Sequence, residues 1–253
     1  MRQVALVTGA TAGIGRATAL LLAKNEFDII TTGRRQKKLE SLEEEIRSKS
    51  SAEVLSLAFD IRDLDAVTSA CEKLSGKWEN IDVLVNNAGL AAGLNPIHEG
   101  VIDDWERMID TNIKGLLYIT RLISPRMVAR GHGHIINLGS IAGKEAYEKG
   151  NVYNATKFAV DGLTRAMRLD LADHGIKVTA IHPGAVETEF SLVRFKGDRE
   201  QANKVYEGFT PLYAEDVAEA ILFAVTRPPH VNIDDMLIMS TAQASATKVA
   251  RKS

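Results

Sequence analysis

Apolar and polar positions follow two alternating patterns along the chain. Short, nearly continuous apolar runs predict seven strands, over residues 4–7, 28–32, 54–59, 82–85, 135–138, 177–181 and 236–239. Longer stretches with apolar residues three and four apart predict six helices, over residues 13–25, 36–49, 63–77, 104–130, 152–174 and 215–226. This alternation is typical of βαβ units on a parallel sheet, whose strands are buried on both faces.

The pattern therefore predicts an α/β fold, with a doubly wound seven-stranded parallel sheet flanked by helices. Because the chain has no repeat, linker or break in composition, residues 1–253 are expected to form a single domain. The stretch 184–214 is too long for an ordinary connection. Such segments are usually binding loops, and we expect this one to be a lid over a substrate.

Composition narrows the class of protein. Of 253 residues, 45% are hydrophobic and 25% charged, and the formal net charge is −2, so neither disorder nor general attraction to nucleic acid or membrane is expected. No apolar stretch approaches the ~20 residues of a membrane helix, and no leader-like segment precedes the first strand. The single cysteine, Cys71, excludes an intrachain disulfide and is expected to be buried. We therefore expect a cytoplasmic protein.

The first candidate site is the glycine-rich turn after the first predicted strand. Glycine stands at positions 9, 13 and 15, with the spacing GxxxGxG rather than the commoner G-x-G-x-x-G. Because the turn opens a helix, its backbone N–H groups and the helix N-terminus can bind a pyrophosphate. The alternative is a tight turn without a ligand.

The second candidate site follows the second predicted strand. Folds that prefer NAD usually place Asp or Glu here, to bond the ribose 2′-hydroxyl, but this chain has Gly33, Arg34 and Arg35. An arginine can bind a 2′-phosphate through charge-assisted hydrogen bonds of about 1.5–3 kcal/mol. The prediction is a preference for NADP(H). The alternative is a solvated basic helix start, since Lys37 and Lys38 continue the run.

The third candidate site contains Ser140, Tyr153 and Lys157. The tyrosine and lysine share one face of a predicted helix, and the serine follows a predicted strand. Carbonyl reduction by hydride needs a proton donor, and a free tyrosine, with a pKa of about 10, is too weak an acid at neutral pH. The Lys157 ammonium, together with the positive nicotinamide ring of an oxidised cofactor, would lower the pKa of the tyrosine. Taken alone, Tyr-x-x-x-Lys also occurs by chance on surface helices.

Together these motifs resemble the short-chain dehydrogenase/reductases. The resemblance spans about residues 3–240 and adds Asn86-Asn87-Ala88-Gly89, Asn112 and Pro183-Gly184 to the sites above. It implies a Rossmann fold, in which the asparagine holds a water that relays protons to the lysine, and the lysine bonds the nicotinamide ribose. The implied catalytic tetrad is Asn112, Ser140, Tyr153 and Lys157.

The resemblance also implies which residues hold the cofactor, NADP. Asp60 and Ile61 are expected at the adenine base, Asn87 to Gly89 on the adenine side, and Pro183 to Thr188 over the nicotinamide. No metal site is expected. The expected cofactor contacts are Gly9, Thr11, Ala12, Gly13, Ile14, Gly15, Arg34, Arg35, Asp60, Ile61, Asn87, Ala88, Gly89, Tyr153, Lys157, Pro183, Gly184, Val186 and Thr188.

A narrower resemblance comes from the expected lid. Residues 186–198, Val-Glu-Thr-Glu-Phe-Ser-Leu-Val-Arg-Phe-Lys-Gly-Asp, and residues 241–245 are similar to the NADP-dependent 3-hydroxy acid dehydrogenases. Those enzymes oxidise serine, allo-threonine and related 3-hydroxy acids, and reduce short carbonyl compounds in reverse. The resemblance implies a small carboxylate substrate for this chain.

Such a substrate needs a cation to bind its carboxylate. Arg194 is the candidate, with Lys196 or Arg199 as substitutes, and the alternative for all three is a solvated charged lid. In the other substrate-side loop, Glu145 and Tyr147 are candidate contacts for a substrate amine or backbone. The expected substrate contacts are Ser140, Tyr153 and Arg194.

The predicted function is NADP(H)-dependent hydride transfer to or from a 3-hydroxy acid or a related small hydroxy or carbonyl compound. Reduction of 3-oxoacyl thioesters, sulfonated aldehydes or sugars stays open, as does a non-catalytic NADP-binding sensor. The family is commonly tetrameric through the helices predicted over 104–130 and 152–174, whose apolar residues lie on more than one face. We therefore expect a homotetramer, the alternative being that these faces pack internally.

Overall fold

Seven parallel strands form one sheet in the order β3-β2-β1-β4-β5-β6-β7. The structure is a computed structural model that describes residues 2–252. The strand bounds differ from the predicted ones by at most two residues, and the predicted doubly wound Rossmann sheet is confirmed. The strands are β1 (Gln3–Val7), β2 (Phe27–Gly33), β3 (Val54–Ala58), β4 (Ile81–Asn86), β5 (Gly133–Leu138), β6 (Ile176–Pro183) and β7 (Asp235–Ile238).

Helices cover both faces of this sheet. Alternate residues of β1 enter two separate cores: Ala5 and Val7 pack on one side, Val4 and Leu6 on the other. No helix within residues 2–252 combines the length and apolar character that crossing a bilayer requires. The helices are α1 (Gly13–Lys24), α2 (Gln36–Lys49), α3 (Leu64–Glu72), α4 (Ile102–Ile109), α5 (Leu116–Arg130), α6 (Asn151–Leu171), α7 (Glu189–Arg194), α8 (Arg199–Lys204) and α9 (Ala214–Val225).

The arrangement of these helices creates a crevice at one edge of the sheet. α1, α2 and α9 contribute to the core on one face, whereas α3, α5 and α6 contribute to the core on the other. The chain therefore leaves the adjacent strands β1 and β4 towards opposite faces. In open α/β sheets, ligands bind at this reversal, outside the carboxyl ends of the strands.

The helix predicted over 104–130 is interrupted, and the helix predicted over 63–77 ends early. The helix predicted over 104–130 is interrupted by a π turn at Asp110–Gly115, which separates α4 from α5. The helix predicted over 63–77 ends at Glu72 and is followed by a short 3₁₀ turn at Gly76–Glu79. π turns are rare and are frequent at functional sites, and this one contains Asn112.

The expected lid, residues 184–214, holds two short helices, α7 and α8. Its two ends are joined, because Glu187 N–H donates to the Leu212 carbonyl over 2.8 Å and Leu212 N–H donates to the Ala185 carbonyl over 3.0 Å. The Thr188 hydroxyl accepts from Phe190 N–H and caps α7. The segment is therefore a folded flap with a closed base rather than an open loop.

Candidate active site

The glycine turn packs tightly against the segment that follows β4. Gly9 has φ +67°, and a Cβ at this position would lie 2.9 Å from the Ala88 Cα. A Cβ at Gly15 would lie 2.4 Å from the Asn87 Nδ2. Gly13, with φ +52°, faces Thr188 at the start of α7. These glycines therefore let the turn approach both neighbouring segments, in addition to exposing backbone N–H groups.

Thr8 joins the carboxyl ends of β1 and β4. Its hydroxyl donates to the Val85 carbonyl over 3.1 Å and accepts from Asn87 N–H and Ala88 N–H, each over 3.0 Å. The Asn87 side-chain amide donates to the Thr8 carbonyl over 2.8 Å. Since every one of these bonds links residues more than 70 positions apart, the two strand ends form one rigid cradle.

A cleft of about 300 Å³ lies along this cradle. Most of the predicted cofactor contacts line it, and Gly15, which packs on Asn87, does not. The predicted contacts in the lining are Gly9, Thr11, Ala12, Gly13, Ile14, Arg34, Arg35, Asp60, Ile61, Asn87, Ala88, Gly89 and Thr188. The sequence interpretation missed Thr32, Gly33, Phe59, Leu90, Thr111, Glu189, Phe190 and Val193, which also line it.

The two arginines after β2 differ in their partners. Arg35 donates to the Thr11 hydroxyl over 2.8 Å and to the Glu189 carboxylate over 2.8 Å, so it links the glycine turn to the flap. Arg34 is more exposed, and its ion pair, with Asp60, is long at 3.9 Å. Asp60 is held by Arg62 at 2.7 Å, which lowers the pKa of the Asp60 carboxyl. Arg34 is therefore the freer cation of the two.

A second, smaller cavity of about 100 Å³ adjoins the cleft. It collects Ser140, Tyr153 and Lys157, although they come from the end of β5 and from α6. The predicted residues Pro183, Gly184, Val186 and Thr188 line its opposite side. The two cavities share Ile14, Asn87, Gly89, Thr188 and Phe190, so they are parts of one crevice.

Burial controls the acidity of Tyr153 and Lys157 in this structure. Both residues are less than 9% exposed. Burial raises the pKa of Tyr153 to about 12, against the opposing effects of Arg194 and of hydrogen bonding with Ser140. Burial also lowers the pKa of Lys157 to about 8, and its ammonium donates to the Leu138 carbonyl over 2.8 Å. Lys157 is not among the groups that shift the pKa of Tyr153 here, so the expectation that Lys157 and the nicotinamide ring of oxidised cofactor together lower this pKa stays a prediction.

Asn112 lies behind Lys157 rather than in the cavity lining. Its side-chain amide donates to the Leu90 carbonyl and accepts from Leu90 N–H, both over 2.8 Å, and also donates to the Thr156 hydroxyl over 3.0 Å. A Cβ at Gly89 would lie 3.2 Å from the Asn112 Oδ1 and 3.8 Å from the Lys157 Nζ. Because both amide hydrogens of Asn112 are engaged, the predicted water can only donate to an oxygen of Asn112, in its side chain or its main chain.

Arg194, at the end of α7, lies among three aromatic rings. Its guanidinium carbon is 4.9 Å from the ring centroid of Tyr153 and 5.6 Å from those of Tyr147 and Phe190. Its Nη2 donates to the Tyr147 hydroxyl. Its Nε is buried and has no hydrogen-bond partner among residues 2–252. The flap thus places a cation directly beside the predicted catalytic tyrosine.

The other charged candidates near the substrate side are occupied or distant. The Lys196 ammonium lies 2.8 Å from the carboxylate of buried Asp104, so Lys196 would have to leave this ion pair to substitute for Arg194, and that role stays a prediction. Arg199 is exposed at the start of α8. The Glu145 carboxylate accepts from Ala246 N–H over 2.8 Å, so a substrate amine would have to compete for it. Contacts between segments that are distant in the sequence therefore determine which of these charges are free to bind a substrate.

A buried ionic cluster lies beneath Ser140. The His182 Nδ1 is 3.3 Å from Ser140 N, and its Nε2 is 3.3 Å from the Asp235 carboxylate and 3.5 Å from that of Asp161. The Lys144 ammonium lies between the two carboxylates, at 2.7 Å and 2.5 Å. Burial, together with the nearby Lys144 ammonium, lowers the pKa of His182 against the opposing effect of the two carboxylates. The cluster connects the Ser140 turn to α6, β6 and β7.

Comparison with known proteins shows which family this chain resembles in sequence. The sequence profile of the short chain dehydrogenase family matches residues 3–198. A Salmonella typhi protein named NADP-dependent 3-hydroxy acid dehydrogenase YdfG is 48% identical over 245 residues, covering 96% of this chain and 97% of that protein. A Schizosaccharomyces pombe protein named NADP-dependent 3-hydroxy acid dehydrogenase is 43% identical over 248 residues, covering 98% and 96%.

Solved structures show the same similarity as the sequences. One described as the closed form of serine dehydrogenase complexed with NADP⁺ superposes with a TM-score of 0.93 at 44% identity, covering 99% of this chain and 100% of its own. The crystal structure of serine dehydrogenase from Escherichia coli gives a TM-score of 0.83 at 40% identity, covering 96% and 100%. By sequence and by fold, this chain belongs to the short-chain dehydrogenase family.

Proposed function

We propose that this protein is an NADP(H)-dependent dehydrogenase of small 3-hydroxy acids. The observation that carries the proposal is the position of the Arg194 guanidinium, 4.9 Å from the ring centroid of Tyr153. A cation at this distance can bind a substrate carboxylate while the substrate hydroxyl reaches the tyrosine. The names of the similar proteins, 3-hydroxy acid dehydrogenases that use NADP and a serine dehydrogenase bound to NADP⁺, support the same substrate class and cofactor.

The residues of the crevice fit a dinucleotide. Gly9 and Gly13 have positive φ at the start of α1, and the cleft beside them continues into the cavity that holds Tyr153. Arg34, with its long ion pair, is available for a 2′-phosphate, whereas an acidic residue there would repel one. The predicted contacts of Asp60, Ile61 and Asn87 to Gly89 line the same cleft and remain part of this proposal.

Bound in this crevice, NADP⁺ would supply a hydride acceptor for the carbinol carbon, and NADPH a hydride donor for the carbonyl in reverse. Tyr153 takes the hydroxyl proton as general base, and Ser140 donates a hydrogen bond to the reacting oxygen. Lys157 has the opposite charge to a tyrosinate, and its ammonium lies 6.0 Å from the centre of the Tyr153 ring. It stabilises the ionised tyrosine that the oxidation step requires.

Asn112 does not line the cavity and acts on this site through the residues that its side chain holds. Its amide fixes Leu90 and Thr156, and the Thr156 hydroxyl donates to the Tyr153 carbonyl over 2.8 Å. The π turn therefore holds in place the backbone at Leu90 and the turn of α6 from Tyr153 to Thr156, which directly precedes Lys157. A water on the Asn112 main chain, passing protons from Lys157 to solvent, belongs to the proposal.

Assembly and location complete the proposal. Leu117 on α5 and Phe158 on α6 are large apolar side chains, 37% and 44% exposed, on the two helices that the family uses for tetramers. We propose a homotetramer on this basis. A cytoplasmic location belongs to the proposal, because the single cysteine of the chain, Cys71, is buried and free and leaves no intrachain disulfide.

A substrate panel tests the proposed function. NADP⁺ reduction is measured with 3-hydroxypropanoate, serine and allo-threonine, and NADPH oxidation with 3-oxoacyl thioesters, sulfonated aldehydes and sugars. We expect turnover of the 3-hydroxy acids with NADP⁺ much better than NAD⁺. Turnover of neutral carbonyls or thioesters alone would contradict the acid class, and tight NADP binding without any turnover would favour a sensor.

A further inference from the structure

We propose that Tyr147 is a specificity-determining residue, which donates the second hydrogen bond to the substrate carboxylate and holds Arg194 over the catalytic tyrosine. The proposal rests on the proposed function, since it needs an acidic substrate. It adds a residue from the loop between β5 and α6 to a subsite that otherwise consists of one flap arginine.

The contact between Arg194 and Tyr147 leaves at least two donors without a partner in the described part of the chain, the phenolic hydrogen and the Arg194 Nε–H. Arginine has no acceptor, so the bond from Arg194 Nη2 uses the oxygen of Tyr147 and leaves the phenolic hydrogen available. Within the described chain, that hydroxyl bonds to nothing besides Arg194. The Arg194 Nε–H is also free and buried. Two adjacent donors, one charged and one neutral, match the two oxygens of a carboxylate.

Residues at the start of α6 fix the position of the Tyr147 ring. A Cβ at Gly150 would lie 2.3 Å from the ring, so only glycine leaves room for it there. The Tyr147 carbonyl accepts from the Asn154 side-chain amide over 3.0 Å and from Gly150 N–H over 3.2 Å. Because Asn154 follows Tyr153 directly, the two hydroxyl groups are carried by one rigid unit.

Arg194 is held from two directions. Its carbonyl accepts from Gly93 N–H over 3.0 Å, which fixes the end of α7, and the bond to Tyr147 fixes its guanidinium. Without the Tyr147 oxygen, the guanidinium would lose the one side-chain partner it has among residues 2–252. The rings of Tyr153, Phe190 and residue 147 would then be its remaining side-chain contacts.

Four acidic side chains, on α4, on the loop that carries Tyr147 and on the flap, have partners other than Arg194. Each has a cation or a backbone N–H as partner. They are Asp104 with Lys196, Glu145 with Ala246 N–H, Glu148 with Lys149, and Glu189 with Arg35.

The test compares an acid with its neutral isostere. kcat/KM is measured for 3-hydroxypropanoate and for 3-hydroxypropanamide with saturating NADP⁺, in wild type, Tyr147→Phe, Arg194→Met and the double variant. We expect Tyr147→Phe to lower the acid-to-amide ratio at least about tenfold, through KM for the acid. Because Tyr147 acts partly through Arg194, the double variant should lose much less than the product of the two single losses.

Two controls keep the result specific. Tyr118→Phe removes a hydroxyl from α5 that has no hydrogen bond within residues 2–252, and it should leave the ratio unchanged. Propanoate, which lacks the reacting hydroxyl, should inhibit wild type more strongly than propanamide, and this difference should shrink in Tyr147→Phe. If Tyr147→Phe does not fold, Tyr147→His, which keeps a ring N–H donor, is compared with Arg194→Met in the same assays.

The outcomes separate the two levels of the proposal. An unchanged ratio and unchanged propanoate inhibition in Tyr147→Phe, with a fall in Arg194→Met, would overturn the role of Tyr147 and leave the proposed function standing. A wild-type enzyme that does not prefer the acid over the amide would overturn both.

Discussion

The two ends of the crevice carry positive charge in opposite ways. At the phosphate end, the side chains of Arg34 and Arg35 are 59% and 46% exposed, and their ion pairs reach water. At the catalytic end, Lys157 is 7% exposed and has a main-chain carbonyl as its partner. A positive charge therefore costs little free energy at the phosphate end and much more at the catalytic end.

This difference follows from the local dielectric. Exposed ion pairs contribute about 0–1 kcal/mol and exchange partners easily, which suits the release and rebinding of a cofactor. A buried ammonium loses its hydration, so its pKa falls and it destabilises the fold until an opposite charge forms beside it. Ionisation of Tyr153 creates such a charge. The charge at the catalytic end is thus most stable when Tyr153 is ionised. The charges at the phosphate end are already stable before the reaction begins.

The largest expected effect is that of Tyr153→Phe. It removes only the hydroxyl that exchanges the proton, so kcat/KM should fall about 10²–10⁴-fold or more. The Kd of NADP⁺, measured by fluorescence titration, should change little, because the phosphate end is intact. Appreciable turnover in this variant would show that another group transfers the proton.

The next effect concerns stability. Lys157 has its pKa lowered from 10.5 to about 8, so at pH 7 the folded protein carries the full penalty, about 3 kcal/mol. Lys157→Met should therefore raise the free energy of unfolding at pH 7, less the lost bond to Leu138. The unfolded state binds the extra proton between pH 8 and 10.5, so wild type gains stability there and the difference shrinks.

Urea unfolding at pH 7 and pH 10, at one protein concentration, measures this difference. Lys73→Met, at an exposed position, is the matched control and should show neither effect. A Lys157→Met protein that is less stable than wild type at pH 7 would mean that the bond to Leu138 outweighs desolvation.

Cofactor selectivity should respond less. Arg34→Asp is expected to lower the preference for NADP⁺ over NAD⁺ by about 10- to 150-fold, because it replaces a charge-assisted partner of a 2′-phosphate with a repelling one. Arg35→Gln should have a smaller effect, since Arg35 already bonds Thr11 and Glu189. The ratio of kcat/KM values for the two cofactors is the measurement, and equal effects would erase the distinction between the arginines.

The smallest expected effect is that of Glu189→Gln. It removes the ion pair between the flap and Arg35, both side chains of which are 46% exposed, so stability should change by about 1 kcal/mol or less. It also removes a negative charge from the cleft, so NADP⁺ should bind a few-fold more tightly at low salt. This gain should vanish at high salt, where exposed charges are screened. A gain that survives high salt would contradict the electrostatic explanation.

The break in the helix predicted over 104–130 shows the limit of local patterns. The apolar spacing is helical through residues 110–115, yet the chain widens there into a π turn. The amide of Asn112 bonds Leu90, 22 positions away, and such a contact leaves no trace in periodicity. The same applies to Lys196, whose partner, Asp104, lies on α4.

The sequence by itself determined the order and type of the strands, the glycine turn, the arginines after β2 and the family. Each of these features depends on the residues of a single element, and periodicity, turn residues or motifs within that element indicate it. The tertiary structure alone decided which lid cation is free, that Arg194 reaches Tyr147 and Tyr153, and which way burial shifts the pKa values of Tyr153 and Lys157. The reason is physical: desolvation and charge pairing depend on everything packed around a group, and its neighbours in space come from distant parts of the chain.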